Sequence, residues 1–168
     1  ECIHQTQYQQ LDIIPSIGTE LIATDKLLGA STGQRHVILK RALREIRNDY
    51  DIVIIDHAPT FNNITVNGLF CSNEIIIPLK PGGFELKGLI DTLEELFDIE
   101  DDYECEYKIR ILMNMIPRGV RPAYISFINK IREFYGDTIL QTTVGYQDAV
   151  ASRSTMSGKL LYNSKTGV

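Results

Sequence analysis

The sequence is poor in the features that define several classes of protein. It contains no tryptophan and three cysteines, and its longest apolar runs, residues 52–55 and 75–79, are far shorter than the ~20 residues that span a bilayer. The 168 residues are 43% hydrophobic and 23% charged, with a mean hydropathy of −0.08. These values exclude a disordered tail, a collagen-like repeat and a membrane protein. We therefore expect one globular domain over residues 1–168.

The cysteines Cys2, Cys71 and Cys105 lie far apart and form no Cys-x-x-Cys pair. This usage is typical of reduced thiols in a cytosolic protein. A zinc or iron–sulfur site would need ligands at short, regular spacings, which these residues do not provide.

The net charge of −5 is unevenly distributed along the chain. Residues 1–107 contain 8 Lys and Arg against 19 Asp and Glu, whereas residues 108–168 contain 9 against 3. A basic final third on an acidic body favours an anionic partner on one side. Chance clustering on a solvated surface is the equal alternative.

Segments with strand and helix patterns alternate along the chain. Strands are predicted at 11–15, 50–56, 74–78, 108–114 and, weakly, 138–141. Helices are predicted at 35–48, 62–71, 84–98, 121–135 and 146–155, and the acidic stretch 98–106 is predicted to be a loop. In the helix predicted at 84–98, the apolar residues expected to face the core are Leu86, Leu89, Ile90, Leu93, Leu96 and Phe97. In the helix predicted at 121–135, they are Ile125, Ile128, Ile131 and Phe134. The alternation predicts an α/β fold with a mostly parallel sheet flanked by helices.

Asp56 is the most informative polar residue, because it directly follows the β-branched run 52–55. Ligands of parallel sheets bind at the carboxyl ends of the strands, and burying a carboxylate is costly unless a cation pairs with it. In phosphate-handling α/β proteins an aspartate here is the Walker B residue, which holds Mg²⁺, often through water. An ordinary turn-forming aspartate would give the same local pattern.

The segment YDIVIIDHAPTFNNITVNGLFCSNEIIIPLKPGGFELKGL resembles the Walker B and switch II region of the ParA/MinD family of deviant-Walker ATPases. The matching residues are Asp56, Pro59, Thr65, Asn67, Pro78, Leu86 and Gly88. Residues 11–28 and 111–168 continue the resemblance in order, and it is closer to ParA and Soj than to MinD. The resemblance implies a P-loop NTPase fold.

Two features depart from the family. His57 occupies a position that usually carries a small or thiol residue; it could touch the attacking water or a partner subunit, or be a neutral neighbour. The P-loop, KGGxGK[ST], is absent, and none of the glycines at 29–33, 82–83 and 158 fits it. We expect the chain to be the C-terminal two-thirds of a ParA-like domain, incomplete at its N-terminus and inactive alone. A degenerate relative that binds no nucleotide is the alternative.

The resemblance assigns roles to individual residues. In the family, two subunits sandwich two ATP molecules with Mg²⁺; Asp56 would be the catalytic carboxylate and the Mg²⁺ ligand, acting through water. Asn114 would contact the adenine edge, and Tyr146 and Asp148 would form the other adenine wall. A turn-forming role for Asn114 and a surface position for the other two residues are the alternatives.

The resemblance also implies a homodimer formed on ATP binding, non-specific DNA binding, a ParB-like stimulating protein and a cytoplasmic, nucleoid-associated location. The candidate DNA contacts are Arg118 and Arg121, followed by Lys130, Arg132, Arg153 and Lys159. Each of these residues could equally be an ordinary solvated charge. Three other functions remain open: a MinD-like membrane-associated ATPase, a scaffold without a P-loop, and an electron-transfer relative like the nitrogenase iron protein.

Overall fold

A computed structural model describes residues 2–117, 119 and 122–146. The chain divides into two compact units, Glu1–Ser72 and Asn73–Val168, which are described separately. The predicted helix 146–155 and the residues Arg118, Arg121, Asp148, Arg153 and Lys159 lie outside the described residues, except for Tyr146.

The first unit contains mainly short elements. They are β1 (His4–Gln5), β2 (Asp12–Ile13), α1 (Gly18–Ala30), a 3₁₀ turn (Arg35–Val37), α2 (Ile38–Ala42), a second 3₁₀ turn (Leu43–Glu45) and α3 (Asn63–Leu69). The two strands pair antiparallel, with His4 opposite Ile13. The strand predicted at 11–15 is thus only two residues long, and its residues are exposed.

The strand predicted at 50–56 is wrong for this structure. Residues 52–58 form no ladder, and Ile52 and Ile54 are 78% and 87% exposed. A strand forms only where a second strand pairs with it, and an apolar pattern does not show whether such a partner is present. In the described part of this unit, the only strand pair is β1 with β2. The segment is therefore an unpaired, apolar stretch that leads into Asp56.

The single helix predicted at 35–48 is broken into the two 3₁₀ turns and α2. At the first interruption, the Asn67 side chain of α3 inserts between two backbone groups of this segment. Its Nδ2 donates to the carbonyl oxygen of Arg35 at 2.8 Å, and its Oδ1 accepts from the N–H of Leu39 at 3.2 Å. A continuous α-helix would join these two groups directly, so the amide interrupts the helical ladder.

The second unit is a parallel α/β arrangement, as predicted. It comprises β3 (Glu74–Leu79), α4 (Gly83–Tyr103), β4 (Lys108–Ile116), α5 (Pro122–Tyr135), a 3₁₀ turn (Gly136–Thr138) and β5 (Ile139–Gly145). The strands form a parallel sheet in the order β3-β4-β5. Its core consists of Leu79, Leu89, Leu93, Ile111, Met113, Ile131 and Ile139. The sheet therefore buries one row of side chains against residues from both long helices.

Two details of this unit differ from the predictions. The apolar run 75–79 predicts a buried strand, but β3 alternates between exposed and covered residues and is half-buried. The helix α4 continues through residues 98–103, which had been predicted as loop, because its buried stripe extends to Ile99. It ends at Glu104, whose φ of 50° is left-handed.

The apolar faces of the two long helices are narrower than predicted. In α4, Leu89, Leu93 and Leu96 are buried whereas Ile90 and Phe97 are exposed. In α5, Ile131 is buried and Ile128 packs against the core, but Ile125 and Phe134 are exposed and Phe127 and Tyr135 take their place. A helix buries only the stripe that meets its neighbour, so apolar residues beside that stripe remain outside. Among the described residues, no helix has both the length and the apolar character needed to cross a membrane.

Candidate functional site

Asp56 ends the unpaired apolar stretch of the first unit and is exposed. Within the described part of that unit no donor forms a hydrogen bond or ion pair with its carboxylate. A carboxylate that no neighbouring side chain neutralises retains its full capacity to accept hydrogen bonds or to face a cation.

His57, the next residue, packs directly onto α3 at Gly68. A Cβ at Gly68 would lie 2.0 Å from Cε1 and 2.3 Å from Nε2 of the imidazole, so the ring occupies the space that any side chain there would need. The Nε2 atom is buried and has no hydrogen-bond partner among the described residues. Burial lowers the pKa of His57, although the neighbouring Asp56 carboxylate opposes that shift. The ring is therefore held by shape and favours its neutral form.

The loop between His57 and α3 is anchored by the side chains at the start of the helix. Asn62 is the N-cap, and its Oδ1 accepts from the N–H of Thr65 at 3.0 Å. The buried Thr65 hydroxyl donates to the carbonyl oxygen of Thr60 at 2.6 Å. These bonds fix the turn that follows Asp56.

Asn67, also part of the family pattern, has a structural role. It is 4% exposed, and its Nδ2 donates to the carbonyl oxygens of Arg35 and Asn63 while its Oδ1 accepts from Leu39. All the hydrogen-bonding groups of this amide except one acceptor lone pair are thus used within the unit. Asn67 joins α3 to the broken helical segment and leaves no donor for a ligand.

In the second unit, Asn114 and Tyr146 lie at the carboxyl ends of two neighbouring strands, β4 and β5. Asn114 does not end β4, which runs two residues further to Ile116 through a bulge. At the bulge Met115 has a φ of 53°, and its N–H donates to Oδ1 of Asn114 at 2.8 Å. The Tyr146 N–H donates to the carbonyl oxygen of Ile116 at 2.7 Å. The Asn114 side chain thus supports the bulge through its oxygen, and its Nδ2 remains as a donor.

Two of the six candidate DNA contacts, Lys130 and Arg132, are described by the structure. Both are exposed on α5. The positions of Arg118, Arg121, Arg153 and Lys159 stay sequence predictions, as does that of Asp148. The described part of the chain contains no cluster of three or more His, Cys, Asp or Glu residues suited to a metal ion.

The sequence pattern indicated Asp56 but not the packing contact between His57 and Gly68. One signal for it was present. An isolated glycine within a helix is unfavourable relative to alanine and often indicates a close approach by another group. Gly68, in the buried face of α3, is such a glycine.

The fold and these sites define a class: α/β proteins with a parallel sheet and an aspartate at the end of an apolar segment. The comparisons with known proteins identify the family. A family model described as "AAA domain" matches residues 1–109. The chain belongs to this family, and within it to the ParA/MinD type of P-loop ATPases.

Among the curated relatives is the sporulation initiation inhibitor protein Soj of Bacillus subtilis. It is 28% identical over 150 residues, which cover 86% of this chain and 56% of Soj. The chain thus spans little more than half the length of this relative.

Solved structures share the fold. McdA of Cyanothece, solved without nucleotide, has a TM-score of 0.81 at 19% identity. The match covers 96% of this chain and 64% of the McdA chain. Cobyrinic acid a,c-diamide synthase of Mycobacterium smegmatis, solved with ADP and magnesium, has a TM-score of 0.75 at 20% identity, covering 94% of this chain and 68% of its own.

Proposed function

We propose that the protein is a partitioning ATPase of the ParA/Soj type, which hydrolyses ATP and binds DNA without sequence preference as a nucleotide-driven dimer. The observation that carries the proposal is the exposed Asp56 carboxylate, which has no partner among the described residues, in a chain that is 28% identical to Soj over 86% of its length. An aspartate in this setting has no packing role and is available to a cation.

Asp56 suits Mg²⁺ in particular. This ion retains several of its waters and is held in proteins by one or two carboxylates together with substrate phosphates. A single exposed carboxylate matches that requirement, whereas calcium or zinc would need several protein ligands. Mg²⁺ would supply neutralisation of the charge that develops on the phosphates. Asp56 would accept hydrogen bonds from the water shell of the ion. It would thereby keep the ion in a fixed position relative to the loop that follows Asp56.

The other nucleotide contacts follow the same proposal. Asn114, whose oxygen is engaged by Met115, would donate through Nδ2 to an adenine acceptor, and Tyr146 with Asp148 would form the other wall of the base pocket. The P-loop would be contributed by residues outside these 168, since the sequence contains no KGGxGK[ST] motif. The fragment alone would therefore be inactive.

DNA binding is proposed for the basic final third of the chain. The exposed positions of Lys130 and Arg132 on α5 support it, and Arg118 and Arg121 are the first candidates from the sequence. Contacts of this kind go to phosphates, so they carry no sequence information and weaken with salt. A ParB-like protein would stimulate hydrolysis, and the dimer would be associated with the nucleoid in the cytoplasm.

The test is ATP hydrolysis by the whole protein in the presence of Mg²⁺, combined with retardation of a random-sequence DNA duplex with and without ATP. We expect Mg²⁺-dependent turnover and retardation that requires ATP. Absence of turnover would contradict the ATPase assignment. Turnover with binding to anionic lipid vesicles and none to DNA would contradict the partitioning role and favour the MinD-like alternative.

A further inference from the structure

His57 and Gly68 form a pair of complementary size next to the proposed magnesium carboxylate. The imidazole occupies the position of the missing side chain, since a Cβ at Gly68 would lie within 2.3 Å of two of its ring atoms. Real Cβ atoms do not approach other atoms this closely, so a side chain at Gly68 and the present position of the ring exclude one another.

The contact is steric. Nε2 of the ring is buried and has no hydrogen-bond partner among the described residues. What fixes the imidazole is the cavity left by a glycine on the buried face of α3.

This contact matters for Asp56 because little else restrains the segment on that side. Residues 52–58 lie in no strand ladder, and the residues just before Asp56 are largely exposed. On the other side, hydrogen bonds reach back to Ala58, because the Thr65 hydroxyl donates to the carbonyl oxygen of Thr60 and the Thr60 N–H donates to the carbonyl oxygen of Ala58 at 2.8 Å. Between these regions, His57 directly follows Asp56, and its packing on Gly68 is the contact nearest to Asp56 in the sequence.

We infer that His57 is a positioning residue, whose insertion at Gly68 sets the place of the Asp56 carboxylate. The inference rests on the proposed function, because Asp56 acts only if the protein uses Mg²⁺ and ATP. A methyl group at Gly68 should expel the ring and displace Asp56, and a smaller side chain at position 57 should make room for that methyl group. A displacement of about 1 Å at a reacting group can reduce turnover by up to about a hundredfold.

The test is a double-mutant cycle in the whole protein with Gly68→Ala, His57→Cys and the double variant. We expect each single variant to raise the half-saturating Mg²⁺ concentration about tenfold or more and to lower kcat. Binding of ATP measured without Mg²⁺ should change less than twofold. The double variant should return most of the way to wild type, because the thiol is small and leaves space for the new methyl group.

The matched control is Gly29→Ala. Gly29 is the penultimate residue of α1, as Gly68 is of α3, but a Cβ there would meet its nearest neighbour, Nδ2 of Asn63, at an ordinary 3.6 Å. It should behave like wild type in the Mg²⁺ titration. This control separates the effect of the contact from the general effect of replacing a helical glycine.

Each outcome decides the question. The positioning role would be overturned if Gly68→Ala has an unchanged Mg²⁺ requirement, or if the double variant is no better than Gly68→Ala. In either case the proposed function still stands if the wild type shows Mg²⁺-dependent turnover. Absence of Mg²⁺-dependent turnover in wild type would overturn both. If Gly68→Ala does not fold, His57→Cys alone decides: an unchanged Mg²⁺ requirement overturns the role, and a tenfold rise supports it.

Discussion

The side-chain amide of Asn67 donates to the carbonyl oxygen of Arg35 at 2.8 Å, across 32 residues of sequence. The same amide accepts from the N–H of Leu39, the group that would bond to Arg35 in an uninterrupted helix. One buried side chain thus stands in for a helical hydrogen bond and ties α3 to the segment it interrupts. The loop that carries Asp56 and His57 leads into this same helix.

Replacing Asn67 with alanine should destabilise the protein by about 1–3 kcal/mol, because buried backbone groups lose their partner. Urea denaturation monitored by circular dichroism measures this loss. Asn129→Ala, which removes an exposed asparagine from α5, is the control and should change the free energy of unfolding by less than about 0.5 kcal/mol. Equal effects of the two substitutions would show that the Asn67 network does not stabilise the fold.

Glu74 should make stability depend on pH below its ordinary pKa of 4.5. Lys108 and Arg110 contact its Oε1 at 3.2 and 3.1 Å and lower its pKa in the folded protein. The unfolded state therefore binds the proton more readily, and this contribution, present above pH 4.5, is lost as the pH falls through the lowered folded pKa. Because the site is exposed, the effect should be small.

The check is the melting temperature between pH 3 and 6 for wild type and Glu74→Gln. The variant should lose less stability than wild type as the pH falls below 4.5. Glu94→Gln, at an exposed position of α4, should follow the wild-type curve. Parallel curves for Glu74→Gln and wild type would contradict the assignment.

Replacing Arg118 and Arg121 with glutamate should abolish retardation of non-specific DNA by the whole protein and leave ATP binding intact. Phosphate contacts should also make wild-type binding fall steeply with salt, because each releases condensed counterions. Binding isotherms at several salt concentrations measure both effects. Unaltered retardation by the double variant would place the DNA surface elsewhere, with Lys130 and Arg132 on α5 as the next pair to replace.

The 168 residues alone should show negligible affinity for ATP, because the sequence has no P-loop to bind the phosphates through backbone N–H groups. Isothermal titration calorimetry with Mg²⁺-ATP tests this directly. Tight binding would reveal a phosphate site other than a P-loop within these residues.

The second unit was the more predictable part of the fold. Its strands and helices follow local apolar patterns, and the alternation of β3, α4, β4, α5 and β5 implies a parallel sheet. The first unit was less predictable, because its structure depends on contacts between distant residues. Periodicity suggested one helix over 35–48, but its first interruption comes from Asn67, and the apolar run at 52–55 does not itself specify a neighbouring strand.

The candidate site was likewise predictable where it depends on local sequence and unpredictable where it depends on contacts between distant residues. The position of Asp56 after an apolar run and the family pattern around it are local features of the sequence. The contact between His57 and Gly68 joins residues 11 positions apart, and only the packing of the loop on α3 reveals it. The bulge at Met115, which occupies the Asn114 oxygen, likewise depends on the pairing of β4 with β5.

The most direct test of the central claim is the rate of Mg²⁺-dependent ATP hydrolysis by the whole protein with Asp56→Ala. Asp51→Ala is the matched control, since Asp51 is an exposed aspartate five residues earlier in the same segment. Turnover should fall about a hundredfold or more in Asp56→Ala, because the carboxylate that positions the metal is lost, and should be retained in Asp51→Ala. Hydrolysis by Asp56→Ala at the wild-type rate would contradict the assignment of Asp56 as the magnesium carboxylate.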